Sequence, residues 1–149
     1  MEAKEYVLEK MQDIGLQVAE AFQAKTPELD GTAIIDRGED IPDFDPDKHQ
    51  YLNWEVGNCV RDDGQVWQLL QPYDSTVYKD HPNNMRAQWS LCHTKDPAKA
   101  KPYVAPEGTS GMYMLDECCT EGGKVYRSTI DNNVWEPSAY LAGWEEYIA

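Results

Sequence analysis

Three sets of side chains in this sequence have types and spacing that could do chemistry. His93 is followed by Thr94 and Asp96, the kinds of residue that form a base with an orienting acid. Asp43, Asp45 and Asp47 alternate as the ligands of a calcium loop do. Cys59, Cys92, Cys118 and Cys119 could in principle bind zinc or form disulfides. Beyond these, the chain holds 5 Trp and 9 Tyr against 2 Phe, and Trp and Tyr suit surfaces and half-exposed cores because their flat apolar bodies end in polar tips.

The reactive sets do not survive closer reading. No nucleophile or second base accompanies His93, so a hydrogen bond within a loop is its expected role. Neither His49 nor His81 sits in a Ser, Cys or metal arrangement. The Asp series lacks the turn glycine of a calcium loop, which Lys48 replaces, and its twelfth position is Trp54 instead of Glu. Pro42 and Pro46 also interrupt it, so a solvated loop is expected. The cysteines show no C-x-x-C spacing, and neighbours such as Cys118 and Cys119 point to opposite faces of a strand. With 27 Asp and Glu, carboxylate pairs carry no weight by themselves. No catalytic residue, metal or cofactor is therefore expected, and the chain does not read as an enzyme.

Charge narrows the partners. A net charge of -14 excludes nucleic acid and an anionic membrane surface, which need clustered Lys and Arg. An anionic polymer is a poor ligand for the same reason. A neutral polymer or another protein remains. No apolar window long enough for a transmembrane span is present, and M-E-A-K-E-Y lacks the apolar core of a signal peptide. Synthesis in a cytoplasm without membrane insertion is expected.

The elements that must position the aromatics are read from periodicity and repetition. Val7, Met11, Ile14, Val18 and Ala21 recur at steps of four and three, so residues 1–26 are expected to hold an amphipathic helix, stopped by Thr26-Pro27. Its spacing suits self-association or docking on a larger assembly. Residues 27–50 read as a linker with one apolar run, Ala33 to Ile35. Residues 51–92 and 113–149 read as two copies of one unit. With Gly64 set on Gly123, Trp54 meets Tyr113, Cys59 meets Cys118, Val66 meets Val125 and Trp67 meets Tyr126. Farther on, Val77-Tyr78 pairs with Val134-Trp135, Pro82 with Pro137, and Trp89 with Trp144. Each unit has a strand, a tight turn (D-D-G-Q or E-G-G-K), a returning strand, a polar loop and a closing Trp. Residues 93–112, with three prolines, read as an extended linker. The expected fold is mainly β: two small tandem antiparallel modules with aromatic cores, preceded by an N-terminal α-helix.

The second unit, with G-K-V-Y-R-S-T-I-D-N-N-V-W-E-P and its closing Trp144, resembles the chitin-binding type modules of carbohydrate-binding families five and twelve. More narrowly, it is similar to versions found in bacteriophage and prophage proteins. These share the H-T-K-D-P-A-K-A-K-P-Y linker of residues 93–103 and the G-Q-V-W-Q-L-L-Q-P run of residues 64–72. The resemblance implies short antiparallel sheets that bind polysaccharide through exposed aromatics. It implies a virion or tail protein contacting a cell-surface glycan, neutral by the charge argument, alongside other phage structural proteins. Where the family's adjacent aromatic platform falls, this chain has Ile130-Asp131 and Gln71-Pro72. The aromatics least needed for a core are then the expected contacts: Trp135 and Tyr140 with Asp131, Asn132 and Asn133, and Tyr73 and Tyr78 with Asp74. For Tyr113, Tyr126, Trp144, Trp54, Trp67 and Trp89, core packing is expected. The alternative is a structural particle component whose modules bind protein and not sugar.

Overall fold

The structure is a computed structural model and describes residues 17–149. The upstream part of the expected helix, with Val7, Met11 and Ile14, lies outside the described residues.

Two hairpins organise the chain. Strand β1 (Cys59–Asp62) turns through Asp63-Gly64 into β2 (Gln65–Leu69), while β5 (Cys118–Glu121) turns through Gly122-Gly123 into β6 (Lys124–Ser128). All four turn residues have positive φ, 52° and 74° in the first turn and 58° and 79° in the second. That is the type I′ geometry whose twist matches the flanking strands, and Gly enters it without strain. Asp62 lies opposite Gln65 and Glu121 opposite Lys124. Both hairpins thus keep the register that aligns Gly64 with Gly123. The bend before each also matches: Gly57 N–H donates to the Leu69 carbonyl at 2.8 Å, and Asp116 N–H to that of Ser128 at 2.9 Å.

A third strand closes each sheet. β3 (Trp89–Leu91) pairs antiparallel with β2, and β7 (Trp144–Tyr147) with β6. The second sheet gains β4 (Lys101–Pro102), parallel to β5. The sheets run β1-β2-β3 and β4-β5-β6-β7. Short 3-10 turns separate the strands, so the fold is β-rich and not all-β.

The first sheet is buried on both faces. Alternation along the strands sends Val60, Trp67, Leu69, Trp89 and Leu91 to one side, where they pack with Tyr51 and Tyr73. Cys59, Val66 and Cys92 face the other side and meet Phe22, Ile34, Ile35 and Ile41. Phe22 belongs to helix α1 (described over residues 17–25), and Ile34 and Ile35 to α2 (Gly31–Asp36), which Asp30 caps through Ala33 N–H at 2.9 Å. Gln23 behaves as a strand partner for β1: its amide nitrogen donates to the Cys59 carbonyl at 2.8 Å, and its amide oxygen accepts Cys59 N–H at 2.9 Å. Pro42 and Phe44 pair with Arg61 along the same strand. Residues 27–50, expected as a linker, are therefore a wall of the first core. The three isoleucines supply the apolar surface, and the polar residues between them make the turns.

Residues 93–112 likewise do more than connect. The Thr94 carbonyl accepts Cys118 N–H at 2.7 Å, and Gln65 Nε2 donates to the Pro102 carbonyl at 3.0 Å. Lys101 Nζ reaches the Gly64 carbonyl at 2.9 Å, and Arg86 reaches that of Ala105 at 3.1 Å. The segment is hydrogen-bonded to both sheets. The second sheet has a smaller core, Tyr113, Cys119 and Trp144, with Tyr103 and Tyr126 packed against it. Among the described residues no helix is long and apolar enough to cross a membrane.

Candidate functional site

The loop from Ile130 to Tyr140 follows β6 and precedes the closing strand. Asn133 anchors it. Its backbone pairs with that of Tyr113 at 2.8 and 3.0 Å, and its side-chain amide donates to Ser128 Oγ at 3.1 Å and to the Gly143 carbonyl at 2.8 Å. Its amide oxygen accepts Trp135 N–H at 3.3 Å. Asn133 is 0% exposed, so it is not a ligand contact as expected but the clamp that sets Trp135. The Trp135 carbonyl in turn accepts the Trp144 indole N–H at 2.8 Å. Glu136 then opens a turn, its carbonyl accepting Ala139 and Tyr140 N–H.

This scaffold presents an aromatic corner. The rings of Trp135 and Tyr140 meet edge to face, 4.8 Å apart at 78°. Trp135 is 47% exposed and Tyr140 39%. Gly143 packs close to the clamp and the Tyr140 ring: a Cβ there would lie 3.1 Å from Asn133 Nδ2 and from Tyr140 Cδ2, so both would have to give slightly. Asp131 and Asn132 are exposed nearby in sequence. One Asp131 oxygen accepts Leu115 N–H at 2.9 Å, and Asn132 sits at a φ of 54°. Glu136, absent from the expected set, adds an exposed carboxylate between the two rings' backbones. Only its place in the turn marks it out.

In the first half the same turn is built differently. The Asp74 carbonyl accepts Val77 and Tyr78 N–H, as Glu136 does for Ala139 and Tyr140. Tyr73 is therefore the counterpart of Trp135, and Tyr78 that of Tyr140; the expected match of Tyr78 with Trp135 is displaced along the loop. Tyr73 is only 7% exposed, and its hydroxyl accepts the Trp89 indole N–H at 3.0 Å. It belongs to the core and is not available as a contact. Asp74 is engaged as well, one oxygen accepting from Gln50 Nε2 and from Thr76 N–H and Oγ1, contacts that hold its carboxyl below the usual range, with the Thr76 hydroxyl the largest cause. Tyr78 stands 60% exposed without its neighbour's ring. A similar shift affects the opening aromatic: Tyr51, not Trp54, takes the place of Tyr113. Tyr51 lies 5.1 Å from Trp89 and Tyr113 5.2 Å from Trp144, both edge-on.

The reactive candidates resolve into structure. His93 stacks on Tyr113 at 3.7 Å, and its Nε2 lies 2.8 Å from the Gly111 carbonyl, an acceptor, so that nitrogen carries the proton. Burial pushes its pKa down to about 4. Burial also raises the Cys119 thiol to about 12, and the four cysteines are buried and free. Asp43 pairs with Arg61, Asp45 caps Asp47 and Lys48 N–H, and Asp47 pairs with Lys79, so the three carboxylates diverge. Among the described residues no cluster of His, Cys, Asp or Glu is placed to hold a metal. No protein-family model matches the chain, and no curated protein matches it.

Proposed function

We propose that the chain carries two tandem copies of one small β module and acts as a non-catalytic glycan-binding protein, with the contact surface on the second copy. The exposed edge-to-face pair of Trp135 and Tyr140 carries this reading. A sugar ring stacks its C–H face on such a ring, and a few polar groups fix its orientation. Asp131, Asn132 and Glu136 supply those groups. The acidic chain favours a neutral polymer. By its sequence resemblance the protein belongs on a bacteriophage particle, contacting a host cell-surface polysaccharide. One corner per chain makes a weak site, so self-association through the N-terminal helix is the proposed source of avidity.

Pull-down on insoluble chitin and cellulose, with a glycan array, tests this. Binding is expected, and Trp135→Ala is expected to remove it with the near-UV circular dichroism otherwise retained. Absence of any glycan binding at millimolar oligosaccharide overturns the reading and favours modules that contact protein within the particle. A strictly monomeric mass in solution refutes the avidity part.

A further inference from the structure

A cleft of about 810 Å³ opens between the first half and the connecting segment, within the range of small-molecule sites. One wall comes from the first half: Asp62, Asp63, Gln65, Trp67, and His81 with Asn83 and Asn84. The other comes from the connecting segment: Pro102, Tyr103 and Val104. Trp67 is 2% exposed, yet its indole N–H has no hydrogen-bond partner in the protein. That nitrogen is itself covered from solvent, so Trp67 lines the cleft with its ring and offers no open donor. The Arg86 guanidinium covers the ring at 5.0 Å but cannot accept a hydrogen bond.

The remaining chemistry indicates the kind of partner. Asp62 and Asp63 repel anions. The Asp62 carboxylate is shared with His81 Nδ1 at 3.0 Å, so its charge is already engaged. Asn84 and the Asn83 amide nitrogen are open, since only the Asn83 oxygen is engaged, by Arg86. Acceptors, amides and an aromatic wall at Tyr103 suit an uncharged ligand rich in hydroxyl and amide oxygens. Tyr103 also links the cleft to the aromatic corner: its hydroxyl donates to the Val134 carbonyl at 2.9 Å, one residue before Trp135.

We infer that the cleft is a second, separate subsite for a neutral oligosaccharide, with Asn84 and the Asn83 amide nitrogen as hydrogen-bonding contacts, Tyr103 as its wall and Trp67 as the buried ring that lines it. This rests on the glycan-binding reading but uses none of the residues proposed for it. The test is a nitrogen-15 NMR titration of the full chain with chitohexaose and cellohexaose. It follows the indole N–H signals of Trp67 and Trp135, assigned with Trp67→Phe and Trp135→Phe. The Trp67 signal is expected to move on titration, to keep moving in Trp135→Ala, and to stop in Asn84→Arg, which fills the cleft from an exposed position. A Trp67 signal that stays still while that of Trp135 moves overturns the cleft and leaves the corner standing. Movement of Trp67 alone supports the cleft and removes the corner. Silence of both overturns the two together. A Trp67 shift that persists in Asn84→Arg also overturns the assignment.

Discussion

Tyr73 and Trp135 occupy the same step of the same turn, and one is core while the other stands half in water. The backbone is not what separates them, because the turn hydrogen bonds agree residue for residue. What differs is the cover. The first sheet lies between a cluster holding Phe22, Ile34, Ile35 and Ile41 and a seven-member cluster built on Tyr51, Trp67 and Trp89. The second is held by three buried residues. A small unit with little apolar cover cannot bury every aromatic it carries. The first half buries Tyr51, Tyr73 and Trp89 and exposes Tyr78, whereas the second leaves both Trp135 and Tyr140 half in water.

The contrast is broken most severely at Trp89. It is fully buried and touches Phe44, Tyr51 and Tyr73 edge-on. Trp89→Ala is expected to destabilise by roughly 3–5 kcal/mol, measured as a shifted urea midpoint. Trp144→Ala is expected to cost less, since its cluster is smaller. Equal losses would mean that the two cores do not differ as described.

Next comes pH. His93 joins the halves, and its pKa near 4 lies below the unfolded value of 6.5, so the unfolded chain takes up the proton first as pH falls. Stability is full above 6.5 and is lost on the way down to 4, by about 3 kcal/mol for this single group. Glu117, raised by burial, works in the opposite direction. The measurement is therefore the difference between wild type and His93→Gln, unfolded by urea at pH 7 and pH 4.5. That difference is expected to shrink at the lower pH, and a constant one refutes the shift. Gln23→Ala follows, at roughly 1–3 kcal/mol for each Cys59 backbone group left without its partner. Amide exchange at Cys59 should speed up in that variant, while exchange at Cys118, which Thr94 holds, should not.

These effects also mark what could be read from the chain alone. The hairpins were legible because Asp-Gly and Gly-Gly between alternating strands admit few other structures. Trp89 and Trp144 were legible as strand residues because each follows a hairpin and a polar loop in the sequence. The cover on the first sheet was not, because Ile34, Ile35 and Ile41 sit in short helical turns among acids and glycines, with no sustained period. The split between Tyr73 and Trp135 was hidden for a related reason: it depends on residues far upstream, such as Gln50, which binds Asp74 and Ser75. Asn133 reads as one more loop polar residue, and only its partners reveal a clamp.

The smallest effect sharpens the comparison best. In each half the closing tryptophan must place its indole N–H. Trp89 gives it to the Tyr73 hydroxyl, a side-chain acceptor, whereas Trp144 gives it to the Trp135 backbone carbonyl, which no substitution removes. Tyr73→Phe keeps the ring and deletes the acceptor, so a buried donor loses its partner at roughly 1–3 kcal/mol. Trp135→Phe leaves the carbonyl in place and trims a half-exposed ring, so its cost should stay within about 0.5 kcal/mol. Urea midpoints of the two variants, measured side by side, decide it. If both are neutral, Tyr73 is as dispensable to the fold as its counterpart, and the first half regains a claim to an aromatic contact surface. If only Tyr73→Phe is destabilised, the buried acceptor adds to the cover in holding Tyr73 in the core, whereas Trp135 serves Trp144 through its backbone alone and its ring is left half exposed.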